Sequence, residues 1–140
     1  MSDLNQAIQI ATIAHAGQVD KGGNPYIMHP IRVMLAMETE EERIVAILHD
    51  VLEDCPEWSA ARLISEGFSP SVISALISLA RRQDEPYGHF IDRISRSSLA
   101  RKVKIADMRD NMDLSRIPNP TEMDRARVMK YERYIHALEA

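Results

Sequence analysis

The sequence has few of the features on which several classes of protein depend. It contains one cysteine, Cys55, which excludes an internal disulfide and suits a reducing compartment. Residues 1–20 include no lysine or arginine, so the basic region that opens a secretory signal peptide is missing. No apolar run approaches the roughly 18 residues that a membrane-spanning helix needs. We therefore expect a cytoplasmic protein that is soluble and makes no use of a membrane.

The chain also has fewer basic residues than acidic ones, 17 against 21. The net charge is −4, whereas a protein that binds nucleic acid is usually basic, so we expect no nucleic-acid partner. Residues 81–104 are an exception, with seven basic side chains against three acidic ones. Two interpretations remain open for this segment: the solvated faces of helices, or a local field that attracts a small polyanion.

The residues that are present predict helices. With 45% hydrophobic residues in 140, the chain can bury the core of one domain, residues 1–140. Proline and glycine divide it into helix-length segments, and no alternating β-branched segment predicts a strand. We expect a single compact all-α bundle of seven or eight helices. The predicted helices are 3–16, one from His29, one from a capping box at Thr39 through residue 54, then 59–66, 70–82, 87–97, 99–114 and one from Thr121 onwards.

The segment ILHDVLED, residues 47–54, places polar groups in a helix that is otherwise apolar. His49, Asp50, Glu53 and Asp54 would share one side of a continuous helix. One interpretation is a half-exposed helix with a solvated acidic stripe. However, no lysine or arginine lies between residues 44 and 57, and three nearby carboxylates repel one another unless a cation relieves them. Because imidazole and carboxylate are suitable metal ligands, we predict that this cation is a metal ion.

Two adjacent ligands do not complete a coordination sphere, so others must come from elsewhere in the chain. His29, at the start of the second helix, is one candidate, although a capping or core histidine is the simpler interpretation for it alone. Asp107 is another, because it follows the apolar residues Val103, Ile105 and Ala106 in a helix that is expected to be packed. A carboxylate there costs several kcal/mol unless it has a partner. His15 is expected to support the site or to be structural.

Three segments, in this order, resemble a known family: AHAGQVDKGGNPYIMHP (residues 14–30, ending in YIMHP), LHDVLED, and KIADMRDN. They are similar to the HD-domain metal-dependent phosphohydrolases, and especially to the hydrolase domain of RelA/SpoT-type enzymes and of small alarmone hydrolases. The resemblance extends from about residue 3 to residue 117. The His-Asp dipeptide alone is a weak signal, whereas the complete set of segments at this spacing is a strong one.

The resemblance implies an all-α domain in which a divalent ion, usually Mn²⁺, is held by His29, His49, Asp50 and Asp107. It implies that Glu53 and Asp54 are catalytic. It also implies substrate contacts by Lys21, Tyr26, Asn111 and a basic residue from 81–104, for which Arg81 is our candidate. Members of the family use a metal-activated water to remove the 3′-diphosphate of guanosine tetra- or pentaphosphate (ppGpp or pppGpp), which gives GDP or GTP and pyrophosphate.

The sequence departs from the family pattern at four positions. Asp20 replaces a common arginine, Ala80 a common threonine, and Asp110 and Asp113 stand where an aromatic residue or histidine and a basic residue are typical. These changes keep two alternatives open: a phosphatase or phosphodiesterase of the wider HD group that acts on another nucleotide, and a non-catalytic nucleotide-binding module. The chain ends where bifunctional members continue into a synthetase domain, so we expect hydrolysis without synthesis.

Overall fold

The computed structural model describes residues 3–140, and within them the fold is all-α, as predicted. The only β-type pairing among these residues is a single bridge between Val19 and Pro25, which closes the loop after the first helix. No helix in this part of the chain combines the length and apolarity that crossing a bilayer requires. The helices are α1 (Leu4–Ala14), α2 (Met28–Leu35), α3 (Glu40–Leu48), α4 (Val51–Asp54), α5 (Ala60–Ser65), α6 (Pro70–Leu79), α7 (Tyr87–Ser95), α8 (Ser98–Asn111) and α9 (Glu122–Glu139), with a 3₁₀ turn at Leu114–Arg116.

Side-chain caps explain where several helices begin. Thr39 and Glu42 form the predicted capping box at the start of α3, and Thr121 forms another with Asp124 at the start of α9. Ser69 caps α6, with Pro70 in its first turn. The predicted end of α6 was too late, because the helix stops at Leu79 and Ala80 is extended. The guanidinium of Arg93 binds the carbonyl of Ala80 and so supports this early end.

Helix α3 is the centre of the core. Its residues 44–48 are all buried, and it packs against α1, α2, α6 and α8. The apolar pattern of this segment therefore predicted its burial correctly. Because the segment that follows α3 starts inside the bundle, the polar groups of residues 49 and 50 begin in the protein interior rather than on its surface.

The third helix was predicted to run unbroken through residue 54, and this is wrong. The chain leaves the helix at His49 and Asp50, and α4 resumes at Val51. In a continuous helix the carbonyl of Ala46 would accept from the N–H of Asp50. Here it accepts from the His49 ring at 2.6 Å and from the His49 N–H at 3.4 Å. The histidine side chain thus competes with the helix for this carbonyl, and the helical angles expected between His49 and Glu53 do not apply.

Candidate metal centre and active site

Four side chains from three parts of the fold meet at the broken helix, and we call them the ligand cluster: His29, His49, Asp50 and Asp107. His29 lies in the first turn of α2, and Asp107 lies in α8. The Nε2 atom of His29 is 2.9 Å from Oδ1 of Asp107 and 3.8 Å from Oδ2 of Asp50. The Nε2 atom of His49 is 3.3 Å and 3.1 Å from the same two oxygens. The four residues predicted from the sequence as ligands are therefore neighbours in the structure.

Both imidazoles present the same nitrogen to the cluster. The Nδ1 atom of His49 donates to the buried carbonyl of Ala46, and the Nδ1 atom of His29 lies 2.6 Å from a carboxylate oxygen of Asp110. A histidine that donates from Nδ1 keeps the lone pair of Nε2 for another partner. In metal sites this arrangement is the usual one, because the second partner orients the ring.

The electrostatics of the cluster favour a positive charge between its carboxylates. Burial opposes charge on His49, but Asp50 and Asp107 outweigh it and hold the pKa of this imidazole well above its ordinary value. Burial also opposes the ionisation of Asp107, yet Lys104 and His49 outweigh burial and keep the pKa of this carboxyl well below its ordinary value. Two carboxylates therefore stay ionised in the interior, where only a nearby cation makes this tolerable.

A divalent metal ion fits this donor set. Imidazole nitrogens and carboxylate oxygens bind borderline and hard divalent ions. Octahedral coordination at about 2.1 Å separates neighbouring ligand atoms by about 3 Å. His29, His49 and Asp50 offer ligand atoms that all lie within 4.8 Å of one another, and Asp107 contacts both imidazoles. The cluster can thus hold a divalent ion without large side-chain movement.

Glu53 and Asp54 lie on α4, one turn beyond Asp50, and both are exposed. Partial burial and the neighbouring charges of Asp54 and Asp50 raise the pKa of Glu53. Partial burial and the charge of Asp50 likewise raise the pKa of Asp54. A carboxyl whose pKa moves towards neutrality is a better proton acceptor and donor for general acid–base catalysis than an ordinary one.

Three of the residues predicted to bind substrate line one cavity of about 270 Å³ that reaches His29: Lys21, Tyr26 and Asn111. The Tyr26 hydroxyl donates to Asp50 at 2.6 Å, and the Asn111 amide donates to Asp107 at 3.2 Å. Lys21 extends across the cavity mouth to Asp124 at 2.9 Å. The same cavity is lined by three arginines that the sequence did not single out: Arg32, Arg116 and Arg127.

Arg81 lies elsewhere, in an exposed loop that shares a second cavity with Glu53. Its Nε donates to the carbonyl of Glu85 at 2.9 Å. The basic segment 81–104 does not form one positive patch, because four of its seven cations pair with carboxylates of the protein. These pairs are Arg93–Glu85, Arg96–Asp92, Lys102–Glu42 and Lys104–Asp107. The interpretation of this segment as a local field that attracts a small polyanion therefore applies only to its three remaining cations, Arg81, Arg82 and Arg101.

Sequence reasoning overlooked three residues around the ligand cluster. Lys104, counted only as part of the basic segment, donates to Asp107 at 2.9 Å from a largely buried position. Asp110, noted only as a departure, contacts His29 and Arg32. Asp124 joins Lys21 to Arg127. Helical spacing was an available signal, because Lys104 and Asp110 lie three residues before and after Asp107 and so share its face of α8.

His15 supports the site's surroundings rather than the ligand cluster itself. It is buried, its Nδ1 atom is 2.8 Å from the Gln18 side chain, and its ring lies against that of Tyr26 with centroids 5.1 Å apart. Cys55 is buried beside it and donates to the carbonyl of Ala14. Burial raises the pKa of the Cys55 thiol, which disfavours the thiolate and any role as a nucleophile.

Several proteins resemble this chain. A guanosine-3′,5′-bis(diphosphate) 3′-pyrophosphohydrolase of Haemophilus influenzae is 33% identical over 118 residues, which are 74% of this chain and 17% of that protein. The protein of the same name from Vibrio cholerae is 43% identical over 56 residues, which are 37% of this chain and 8% of that protein. This chain thus spans only 8% to 17% of the length of these curated relatives. No protein-family model matches the chain.

One solved structure has the same fold over almost the whole chain. It is described as a metazoan ortholog of SpoT that hydrolyses ppGpp and plays a role in starvation responses. The TM-score is 0.78 at 22% sequence identity, and the match covers 96% of this chain and 84% of the other. This chain is therefore a relative, in sequence and in fold, of the SpoT-type HD-domain proteins, and the resemblance drawn from its motifs is confirmed.

Proposed function

We propose that this chain is a metal-dependent phosphohydrolase that removes the 3′-diphosphate of ppGpp or pppGpp and releases GDP or GTP and pyrophosphate. The observation that carries the proposal is the meeting of two imidazole Nε2 atoms with the buried carboxylate of Asp107 and the half-buried one of Asp50, immediately before the exposed pair Glu53 and Asp54. Relatives that bear the name 3′-pyrophosphohydrolase support the choice of reaction and of a small nucleotide substrate.

His29, His49, Asp50 and Asp107 are the proposed metal ligands, and Mn²⁺ is the proposed ion, because a set of two imidazoles and two carboxylates suits a metal that accepts both nitrogen and oxygen. The bound ion would supply a positive charge beside the scissile phosphate and acidify water. Tyr26 holds Asp50 by its hydroxyl, and Lys104 holds the oxygen of Asp107 that faces away from the imidazoles. These contacts keep both carboxylates in one orientation.

The proton transfers are assigned to the pair on α4. Glu53 would hold the attacking water and accept its proton, and Asp54 would orient that water or deliver a proton to the leaving oxygen. The raised pKa values of both carboxyls suit these exchanges. For phosphate esters, positioning and electrostatic stabilisation account for most of the catalysis.

The cavity beside His29 is the proposed nucleotide site. Lys21, Arg32, Arg116 and Arg127 line it, and each pairs with Asp110, Asp113 or Asp124, so phosphate oxygens would bind by sharing or displacing these carboxylates. Tyr26 and Asn111 tie its wall to the ligand cluster. Arg81 would bind phosphate oxygens from the side of Glu53, with which it shares a cavity.

A second function is favoured by Asp20, which replaces a common arginine of the family. Its carboxylate accepts from the N–H groups of Gly22 and Asn24 at 2.9 Å each, so this position stabilises a turn and adds no positive charge to the cavity. A different nucleotide, hydrolysed by phosphatase or phosphodiesterase chemistry, is therefore the alternative.

The test is incubation of the purified protein with ppGpp and Mn²⁺, with products separated by anion-exchange chromatography and a chelator as the control. GDP and pyrophosphate that appear only with the metal are the expected result. Orthophosphate, or turnover of other nucleotides alone, would select the alternative. Tight nucleotide binding without any turnover would instead indicate a binding module.

A further inference from the structure

Asp110 occupies a position where relatives of this family carry an aromatic residue or histidine, and it makes more contacts than a surface acid needs. Its Oδ1 atom accepts from Nε of Arg32 at 2.8 Å. Its Oδ2 atom accepts from the second guanidinium nitrogen of Arg32 at 3.1 Å and lies 3.4 Å from Arg116. The side chain is 13% exposed, so this carboxylate is held between two arginines in a largely buried position.

The shortest of its contacts is to the ligand cluster. Oδ2 of Asp110 lies 2.6 Å from Nδ1 of His29. A carboxylate that two guanidinium groups hold ionised can only accept hydrogen bonds. The proton between these two atoms therefore belongs to Nδ1, which leaves Nε2 of His29, 2.9 Å from Asp107, as the nitrogen that can bind a metal ion.

We propose that Asp110 is a positioning residue for the metal, which sets the tautomer and the orientation of His29. This inference rests on the proposed metal site, and it names the residue that orients one of the proposed ligands, His29. In the described part of the chain, a hydrogen bond from Nδ1 orients each of the two imidazoles, but the acceptors differ. The acceptor is the carboxylate of Asp110 for His29 and the carbonyl of Ala46 for His49. The backbone carbonyl cannot be removed by substitution, whereas the carboxylate of Asp110 can.

The competing explanation is that Asp110 only ties α2 to α8. Arg32 separates the two roles, because its substitution breaks the ion pair between the helices and leaves the hydrogen bond from His29 to Asp110. Asp113 is a matched control: it lies three residues further along, and its side chain contacts Ser115 and Arg116, the latter at 2.9 Å, rather than a proposed metal ligand.

The experiment is a calorimetric titration of metal-free protein with Mn²⁺, carried out well below the melting temperature of each variant. Asp110→Leu should weaken Mn²⁺ binding by about 10–100-fold, the usual effect of removing a partner of a metal-bound histidine. Asp110→Asn, which keeps an acceptor oxygen, should recover most of this loss. Arg32→Gln and Asp113→Ala should bind Mn²⁺ within a few-fold of the parent protein.

A second measurement reports on the ligands directly. The visible absorption spectrum of protein saturated with Co²⁺ should change in Asp110→Leu and stay the same in Asp113→Ala, because only the former turns or releases an imidazole. If Asp110→Leu does not fold, Asp110→Ser takes its place with the same expectation.

The results separate this inference from the proposed function. Parent-like Mn²⁺ affinity and an unchanged Co²⁺ spectrum in Asp110→Leu would overturn the positioning role and leave the metal site standing. An equal loss in Arg32→Gln and Asp110→Leu would assign Asp110 to helix packing instead. A parent protein that binds neither ion would overturn the metal site and this inference together.

Discussion

The ligand cluster and the loop held by Glu85 and Arg93 are both networks of charged side chains. They differ in whether their polar atoms remain available to bind a ligand. Arg93 donates to both carboxylate oxygens of Glu85 and to the carbonyls of Ser78 and Ala80, at 2.9–3.2 Å. Every partner in this loop network belongs to the protein. In the ligand cluster, by contrast, the Nε2 atoms of two buried imidazoles and the oxygens of two carboxylates converge on one another, and these atoms can also bind a metal ion.

This difference separates a structural network from a functional one. A network that satisfies itself stabilises a turn and has no need of a ligand. A cluster of imidazoles and carboxylates drawn from three parts of the fold can instead exchange the protons that its members share for a metal ion, so it indicates a site that a ligand completes. The comparison predicts that substitutions in the two networks will have separable effects on metal binding and on stability.

The largest effect is expected for Asp107. Asp107→Asn should weaken Mn²⁺ binding by more than about 100-fold, because loss of a ligand exceeds the roughly 10–100-fold effect of losing a ligand's partner. Asp107→Ala should in addition cost about 3–5 kcal/mol of stability in the metal-free protein, since it leaves the ammonium of Lys104 buried without a partner. Metal analysis and chemical denaturation measure the two quantities. Stoichiometric metal in purified Asp107→Asn would remove this residue from the proposed ligand set.

The next largest effect is expected for Glu53. Glu53→Gln should lower kcat by about 100-fold or more, the usual contribution of an acid–base group, while the metal content stays at the parent level. Steady-state kinetics with ppGpp and metal analysis test this prediction. Glu57→Gln, an exposed acid four residues further along, is the control and should turn over normally. Normal turnover in Glu53→Gln would exclude Glu53 from the mechanism.

Arg81 and Arg93 both contact Glu85, but we expect their substitutions to change different properties. Arg81→Ala should raise KM for ppGpp by about tenfold, the equivalent of losing one charged contact of about 1.4 kcal/mol, and should leave the melting temperature unchanged.

Arg93→Ala should do the opposite: it lowers the free energy of unfolding by about 1.5–3 kcal/mol, because it removes hydrogen bonds from a charged donor to half-buried carbonyls, and it leaves the Mn²⁺ affinity unchanged. Loss of Mn²⁺ binding in Arg93→Ala would show that the two networks are coupled.

The smallest effect is expected at the capping box of α3. Thr39→Ala should cost about 1 kcal/mol, because it removes the acceptor for the N–H of Glu42. The backbone N–H groups of Thr39 and Glu38, with Lys102, lower the pKa of Glu42 from 4.5 to about 2. A lowered pKa in the folded state means that the contribution of Glu42 is complete above pH 4.5 and is lost as the pH falls towards 2. The stabilities of the parent and of Glu42→Gln, measured by unfolding curves from about pH 6 down to about pH 2, should therefore converge at the acid end.

Much of the fold could be predicted from the sequence. Apolar periodicity with capping residues such as Thr39, Ser69 and Thr121 located the helices, because these signals act between residues close in the chain. One error came from a contact with a distant residue and the other from a local side-chain contact that competes with the helix. Helix α6 stops at Leu79, where Arg93 binds the carbonyl that follows, and α3 stops at Leu48, where the His49 ring takes a carbonyl of its own helix.

The same division applies to the candidate site. The four proposed ligands, which the structure brings together, could be chosen because the motifs that contain them are local, and the roles of Glu53 and Asp54 stay predictions, whereas Asp110 was noted only as an unexpected residue. Lys104 was counted only as part of the basic segment 81–104, yet it pairs with Asp107 inside the protein. Neither role could be assigned without knowing which helices α8 faces.

By itself, the sequence determined the helical class, the caps and the supply of imidazoles and carboxylates, because helix propensity, capping and amphipathic pattern depend on residues within a few positions of each other. Only the tertiary structure decided which charges remain available. The packing of α2 and α8 around α3 brings residues 29, 49, 50 and 107 together, although they are separated by up to 78 positions, as between His29 and Asp107. Hydrogen bonds and ion pairs act over about 3 Å in space whatever the distance along the chain, so the assignment of each charged group to structure or to function depends on the fold.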